Sequence, residues 1–259
     1  MPRDRMSTEP TPTEPEPTLI DHLLELRSRL LKAAVAVVVV LLVLAPFART
    51  LYTMLAEPLA RHLPEGASMI AIDVASPFLA PFKLALVLAL LLAMPVVLYQ
   101  LWAFVAPGLY RHEQRLARPV LAMAVLLFYA GCAFAYFVVF PVVFAFFTAV
   151  APEGVTVMTD INSYLDFVLT LFIAFGLAFQ VPVATVILVA LGVTTPRALG
   201  RMRGYIALGA FTIAMLITPP DLISQTLLAV PVLLLFELGL VAARLLVRQP
   251  EDSGDQASS

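Results

Sequence analysis

Cysteine, histidine and charge are all scarce in this chain, and each shortage removes a class of function. Cys132 is the single cysteine in 259 residues, which leaves no disulfide framework and no paired-cysteine zinc pattern. A small residue inside the fold is its expected role. His22, His62 and His112 lie in different segments, and no helix shows metal-ligand spacing. His-Glu-x-x-His, Glu-x-x-His, Gly-x-Ser-x-Gly and Walker patterns are absent. A protease or hydrolase needs such a constellation, so neither an enzyme nor a cofactor is expected. Charged residues make up 13 % of the chain, against about 25 % in soluble domains, which leaves no room for a sizeable soluble domain. The basic residues are dispersed rather than gathered on one face, so no nucleic-acid partner is expected. No internal repeat is convincing, which weighs against transporters built from inverted halves.

What the chain has instead is apolar length. Hydrophobic residues reach 61 %, and six stretches are nearly free of charge: about Leu30–Ala48, Leu84–Tyr110, Pro119–Ala151, Phe167–Thr195, Gly204–Pro220 and Leu222–Ala243. A spanning helix needs about 20 apolar residues, so six spans account for most of the protein. The lysines and arginines sort into alternate gaps. The N-terminal segment, the second and fourth gaps and the C-terminal tail together hold 13; the other side holds only Arg49, Arg61 and Lys83. Lys and Arg are retained on the cytoplasmic face. The expected fold is therefore an all-α integral membrane protein with six transmembrane helices and both termini cytoplasmic.

Residues 1–17 are rich in proline and acid, a composition that cannot bury enough apolar surface to fold. They are read as a disordered tail, as are residues 247–259, around a membrane domain spanning residues 18–246. No cleavable signal peptide is expected, because the first apolar run follows that acidic leader without a small-residue cleavage site. Thr18-Leu-Ile-Asp21 matches a capping box. The first external gap, punctuated by Pro58, Pro64, Gly66, Pro77 and Pro81, should form short helical pieces and turns. Pro95, Pro107, Pro141, Pro182 and Pro231 fall inside the spans; each removes a backbone donor and should kink its helix. The fifth and sixth helices are expected to be short. Gly204–Pro220 has 17 residues and meets the next run through Pro219-Pro220-Asp221, leaving almost no loop and suggesting local thinning of the bilayer.

Few polar residues remain as candidates for chemistry. Glu25 has Arg29 one helical turn away, so an i,i+4 pair competes with a ligand-binding role. Glu113 lies among Arg111, Arg115 and Arg118, where relief of cation repulsion competes with the same role. Two cytoplasmic carboxylates near the interface can together bind a cationic ligand. Glu237 is embedded in an apolar run and is a functional candidate by default, unless it snorkels toward the nearby cytoplasmic surface. Gln100, Gln180 and Gln225 suit helix–helix hydrogen bonds of about 0.6 kcal/mol each. A proton- or ion-coupled transporter using Glu237 and Gln180 is the reading from another class.

Several segments together carry a resemblance. They are His22-Leu-Leu-Glu-Leu-Arg-Ser-Arg29, Asp73-Val-Ala-Ser-Pro-Phe78 with Lys83, Tyr99-Gln-Leu-Trp-Ala-Phe-Val-Ala-Pro107, Tyr110-Arg-His-Glu113, Phe134-Ala-Tyr-Phe-Val-Val-Phe-Pro141, Thr159-Asp160 and Thr218-Pro-Pro-Asp-Leu-Ile-Ser-Gln225. From about Leu19 to Leu246 the chain resembles the TatC family, the multispanning receptor subunit of the twin-arginine protein translocase in the bacterial inner membrane. The resemblance implies a receptor that binds twin-arginine signal peptides of folded cargo at the cytoplasmic face. It also implies recruitment of single-span TatA-like and TatB-like partners, self-association in a larger complex, and export driven by the proton-motive force. Matched residue by residue, Glu25 and Glu113 correspond to the arginine-binding carboxylates, with Arg27 and Phe104 in supporting positions. Met215, Thr218 and Gln225 correspond to a partner-docking cluster, joined by Gln180, and Pro58 to an outer cap. Many members of the family carry Glu where this chain has Gln180. Glutamine keeps its hydrogen bonds but does not titrate, which sets against any role there that needs a proton.

Overall fold

The structure is a computed structural model, and it describes residues 19–60, 71–105, 117–143, 145, 160–217 and 222–246. The first span joins α1 (Leu19–Leu44) to α2 (Ala48–Ala60) through a 3₁₀ turn at Ala45–Phe47. Pro46 has no N–H for the helical ladder, and the tighter turn carries the chain past it. The second span is α3 (Ser76–Val105). The third is α4 (Ala117–Phe134) continued by a π turn at Ala135–Val139, and the fourth is α5 (Ile161–Ala178) with α6 (Val181–Ala190). A short α7 (Pro196–Arg201) leads to the closing hairpin, α8 (Arg203–Ile217) and α9 (Leu222–Leu246).

Five helical stretches among the described residues are long and apolar enough to cross a membrane, and α8 is a shorter apolar helix. With 15 residues, α8 reaches about 22 Å, well under the roughly 30 Å hydrocarbon core. The sixth helix differs from the expected short element. α9 has 25 residues, because helical bonding does not stop at the apolar boundary and continues through Arg244 to Leu246.

Two of the span prolines change the backbone as expected. Ahead of Pro141, the Phe140 N–H reaches back to the Ala135 carbonyl, a five-residue step. A proline ring clashes with the carbonyl four residues back, and the wider turn relieves that contact. Pro182 sits in the first turn of α6, just after the helix breaks at Phe179 and Gln180. Pro95 and Pro231, by contrast, lie inside unbroken α3 and α9. Pro107, the Thr18 cap and both tails lie outside the described residues.

The centre of the fold is where α4, α5, α8 and α9 meet: Ala135, Val139, Leu171, Phe175, Ala214 and Leu228 form one buried cluster. Glycine permits the close approaches. A Cβ on Gly131 would lie 2.5 Å from the Phe175 carbonyl oxygen, one on Gly176 2.6 Å from the Phe128 ring, and one on Gly239 2.8 Å from Pro182 Cα. α1 is the outlier. It packs chiefly on α3, and Ala33 is the one buried residue among its described side chains. Val35, Leu42 and Val43 on it are exposed, an arrangement that costs little for a helix of membrane-spanning length in lipid.

Asp160 starts α5. Its side chain accepts from the Ser163 N–H at 3.0 Å, the Ser163 hydroxyl at 2.9 Å and the Ile72 N–H at 3.3 Å. The Ser163 backbone bond, above all, holds this carboxyl below the usual carboxylate range. A lowered native pKa means that the cap stabilises α5 above the unfolded value of about 3.9 and fades as pH falls through the native value. Asp160→Ala should therefore lower the thermal midpoint in detergent at pH 7. The gap to the parent protein should narrow as pH falls below the ordinary carboxylate range; a gap of unchanged size there would assign the effect to something other than the ionised cap.

Candidate functional site

Polar side chains are so few in this fold that each cluster of them stands out. At the α1–α3 junction, Arg29 donates to Glu25 Oε1 through Nη2 at 2.8 Å and Nε at 3.1 Å. Its Nη1 makes a longer contact of 3.5 Å with Gln100 Oε1 on α3. The i,i+4 geometry follows from the helical pitch, and the acid-before-base order is the favourable one. The side chains are 37 % and 26 % exposed for Glu25 and Arg29, so the pair sits at the surface yet is braced on a second helix. Arg27 is two residues from Glu25 and on another face of α1. There it lines an open groove of about 550 Å³ with Leu24, Ser28, Leu31, Lys32 and Val35. Phe104 is half-buried near the same end of α3. Glu113 lies outside the described residues.

The α8–α9 hairpin presents a second surface. Ala210 and Ala214, one turn apart, form the buried face of α8, and such small residues let the two helices approach closely. Met215 and Leu216 turn outward, and Gln225 is half-buried at the start of α9. Thr218 lies outside the described residues, and Pro58 falls within α2, where the side chain is outside them.

Glu237 neither stands alone nor snorkels free. Arg203, the first residue of α8, grips it with Nε at 2.6 Å and Nη2 at 2.7 Å. This bidentate fork ties the start of α8 to the second half of α9 and commits the carboxylate that a coupled transporter would need. Gln180, at the α5–α6 break, donates from Nε2 to the Ala124 carbonyl at 2.9 Å. Only the amide nitrogen can satisfy a carbonyl, so the side-chain orientation is fixed by chemistry. Gln180 thereby fastens α4 to the break.

One cluster escaped the sequence reading. Lys83 on α3 forms an ion pair with Asp166 on α5, and Asn162 donates to Ser76 between the same two helices. With the Ile72–Asp160 bond, these contacts staple the N-terminal ends of α3 and α5. A signal was present: Lys83 is the only charged residue in 76–105, and Asp166 the only one in 161–190. Both fall within the first two and a half turns of their helices.

Comparison with known proteins gives the family. The family model "Sec-independent protein translocase protein (TatC)" matches residues 21–231. A relative from Azotobacter chroococcum mcd 1, described as "Sec-independent protein translocase protein TatC", is 57 % identical over 241 residues, 93 % of this chain and 94 % of its own length. One of the same description from Escherichia coli (strain K12) is 55 % identical over 229 residues, 88 % of this chain and 89 % of its own length. A solved structure, "Crystal Structure of Twin Arginine Translocase Receptor- TatC", superposes with a TM-score of 0.77 at 36 % identity, covering 86 % of this chain and 98 % of its own. With five membrane-length helices, the protein is a multi-pass protein of the bacterial inner membrane. The chain belongs to the TatC family of Sec-independent protein translocase proteins.

Proposed function

We propose that this chain is the receptor and core subunit of a twin-arginine translocase. It binds the paired arginines of a signal peptide on folded cargo at its cytoplasmic face, with both of its own termini on that side. It then recruits TatA-like and TatB-like single-span partners and self-associates for export driven by the proton-motive force. The family is one of translocase proteins rather than enzymes, and membership implies assembly with other subunits. The observation that carries the reading is Glu25, a partly exposed carboxylate at the α1–α3 junction that already holds a guanidinium at 2.8 Å. Glu113 is its counterpart in the next cytoplasmic loop, with Arg27 and Phe104 in support and Pro58 shaping the opposite face. Arginine's planar fork pairs with carboxylate in a way that lysine's point charge does not. The outward Met215, with Thr218, Gln225 and Gln180, supplies the partner contact beside the short α8.

Binding and export by Glu25→Gln, Glu113→Gln and the double variant test the reading. Each single change should weaken a twin-arginine peptide by about tenfold, the worth of one charge-assisted bond. The double variant should lose less than the sum, because neighbours that share a ligand are not additive, and should fail in export. Met215→Leu or Gln225→Leu should instead reduce co-purification with a TatB-like partner and spare peptide binding. Full export by the double carboxylate variant, with arginine preference intact, would overturn the proposal.

A further inference from the structure

Glu25 is presented with its ligand position already taken. Both Arg29 contacts fall on Oε1, while Gln100 offers an acceptor 3.5 Å from the third guanidinium nitrogen. An incoming arginine meets a like charge on the carboxylate it needs, and that charge has somewhere else to go. We propose that Arg29 is an internal latch on the signal-peptide site. It occupies Glu25 in the resting receptor, and the peptide's guanidinium displaces it toward Gln100. The inference rests on the reading that Glu25 receives a peptide arginine.

The latch is weak by construction. An i,i+4 pair at a partly exposed position favours the closed arrangement by about twofold, so roughly one receptor in three is open at any moment, and apparent affinity falls by that fraction. Before displacement is complete, the two guanidiniums also repel across a few ångströms. The penalty applies to any cation that uses Glu25, arginine or lysine alike. The latch therefore sets the threshold for binding, and the preference for arginine over lysine comes from the carboxylates themselves. A signal peptide with two arginines gains a second carboxylate contact to offset the displacement, whereas an isolated cation does not.

The test is the affinity of the full-length receptor in membranes for synthetic peptides carrying Arg-Arg or Lys-Lys, compared among the parent, Arg29→Gln, Arg29→Lys and Glu25→Gln. Arg29→Gln should bind both peptides about three- to tenfold more tightly, leave their ratio unchanged, and lose most of the gain at high salt, where repulsion is screened. Arg29→Lys keeps the charge and should stay near the parent. Weaker binding of Arg-Arg by Arg29→Gln, with Glu25→Gln also impaired, would overturn the latch and make Arg29 a positioning residue for Glu25. Undiminished Arg-Arg binding by Glu25→Gln would instead overturn the assignment of Glu25, and the latch with it.

Discussion

A single methyl group at Gly131 is expected to unseat α4 from α5. The added Cβ would sit 2.5 Å from the Phe175 carbonyl oxygen and 3.0 Å from Phe179 Cβ. The oxygen belongs to a backbone that also accepts the Phe179 N–H at 2.9 Å, so it cannot swing aside as a flexible side chain would. Relief requires the two helices to separate, which disturbs the Phe134–Phe175 ring contact at 5.5 Å and the buried cluster around Phe175. Overpacking of this kind costs about 1–3 kcal/mol, and Gly131→Val should cost more than Gly131→Ala. Gly209→Ala is the control. Nothing lies within 4 Å of its added Cβ, and alanine is the better helix former by up to about 1 kcal/mol. Thermal unfolding in detergent should show a lower midpoint for both Gly131 variants and an unchanged or higher one for Gly209→Ala. Equal behaviour at the two sites would mean that α4 and α5 do not approach as described.

Restoring an acid at the fourth-span break should be more damaging than removing the polar group altogether. Gln180 donates to the Ala124 carbonyl; an ionised carboxylate there has no proton to give and sets oxygen against oxygen. Gln180→Leu forfeits one interhelical bond, about 0.6 kcal/mol. Gln180→Glu forfeits the same bond and adds a charge at a half-buried site, so at neutral pH it should destabilise by a further 1–3 kcal/mol or so. A protonated carboxyl has a hydrogen to donate and can remake the Ala124 bond, so the deficit of Gln180→Glu should shrink as pH falls while that of Gln180→Leu stays constant. The measurement is the unfolding midpoint of both variants between pH 8 and pH 5. A Gln180→Glu protein as stable as the parent at pH 8 would show that the Ala124 bond carries no weight.

The helices and the membrane character were legible because they are local. Apolar runs of spanning length give the long helices, and a run of 17 residues from Gly204 becomes the 15-residue α8. Pro141 and Pro182 mark real changes of backbone geometry, yet Pro95 and Pro231 do not break their helices, since neighbours in a packed bundle hold a proline-containing helix together. At Glu25, the spacing to Arg29 foretold the pair but not its bracing by Gln100. Contacts between distant segments were the illegible part. Arg203 with Glu237, Lys83 with Asp166 and Gln180 with Ala124 each depend on the rotation of two helices about their own axes. One residue of register moves a side chain by about 100°, and hydropathy does not report that angle.

That angular sensitivity gives the π turn a consequence for how the third span tolerates change. Ala124, Phe128, Gly131, Ala135, Val139 and Val143 are all buried, mostly at steps of four. Steps of four drift by about 40° each on a regular helix, so such a stripe would wind off the core face within a few turns. The extra residue in the turn at Ala135–Val139 takes up this lag and brings Val139 and Val143 back into phase with Ala124 and Phe128. Deleting one residue of that turn would restore an ideal hydrogen-bond ladder and leave Val143 on the core face, because the turn absorbs one residue. Straightening the turn into a regular helix without a deletion would instead rotate everything beyond it by about a quarter turn. The span thus behaves as two screws joined by a phase shifter. Point substitutions on either side act on their own half, and a one-residue deletion at the joint is absorbed, but a further insertion there, or loss of the wide turn at constant length, re-aims the whole second half at once.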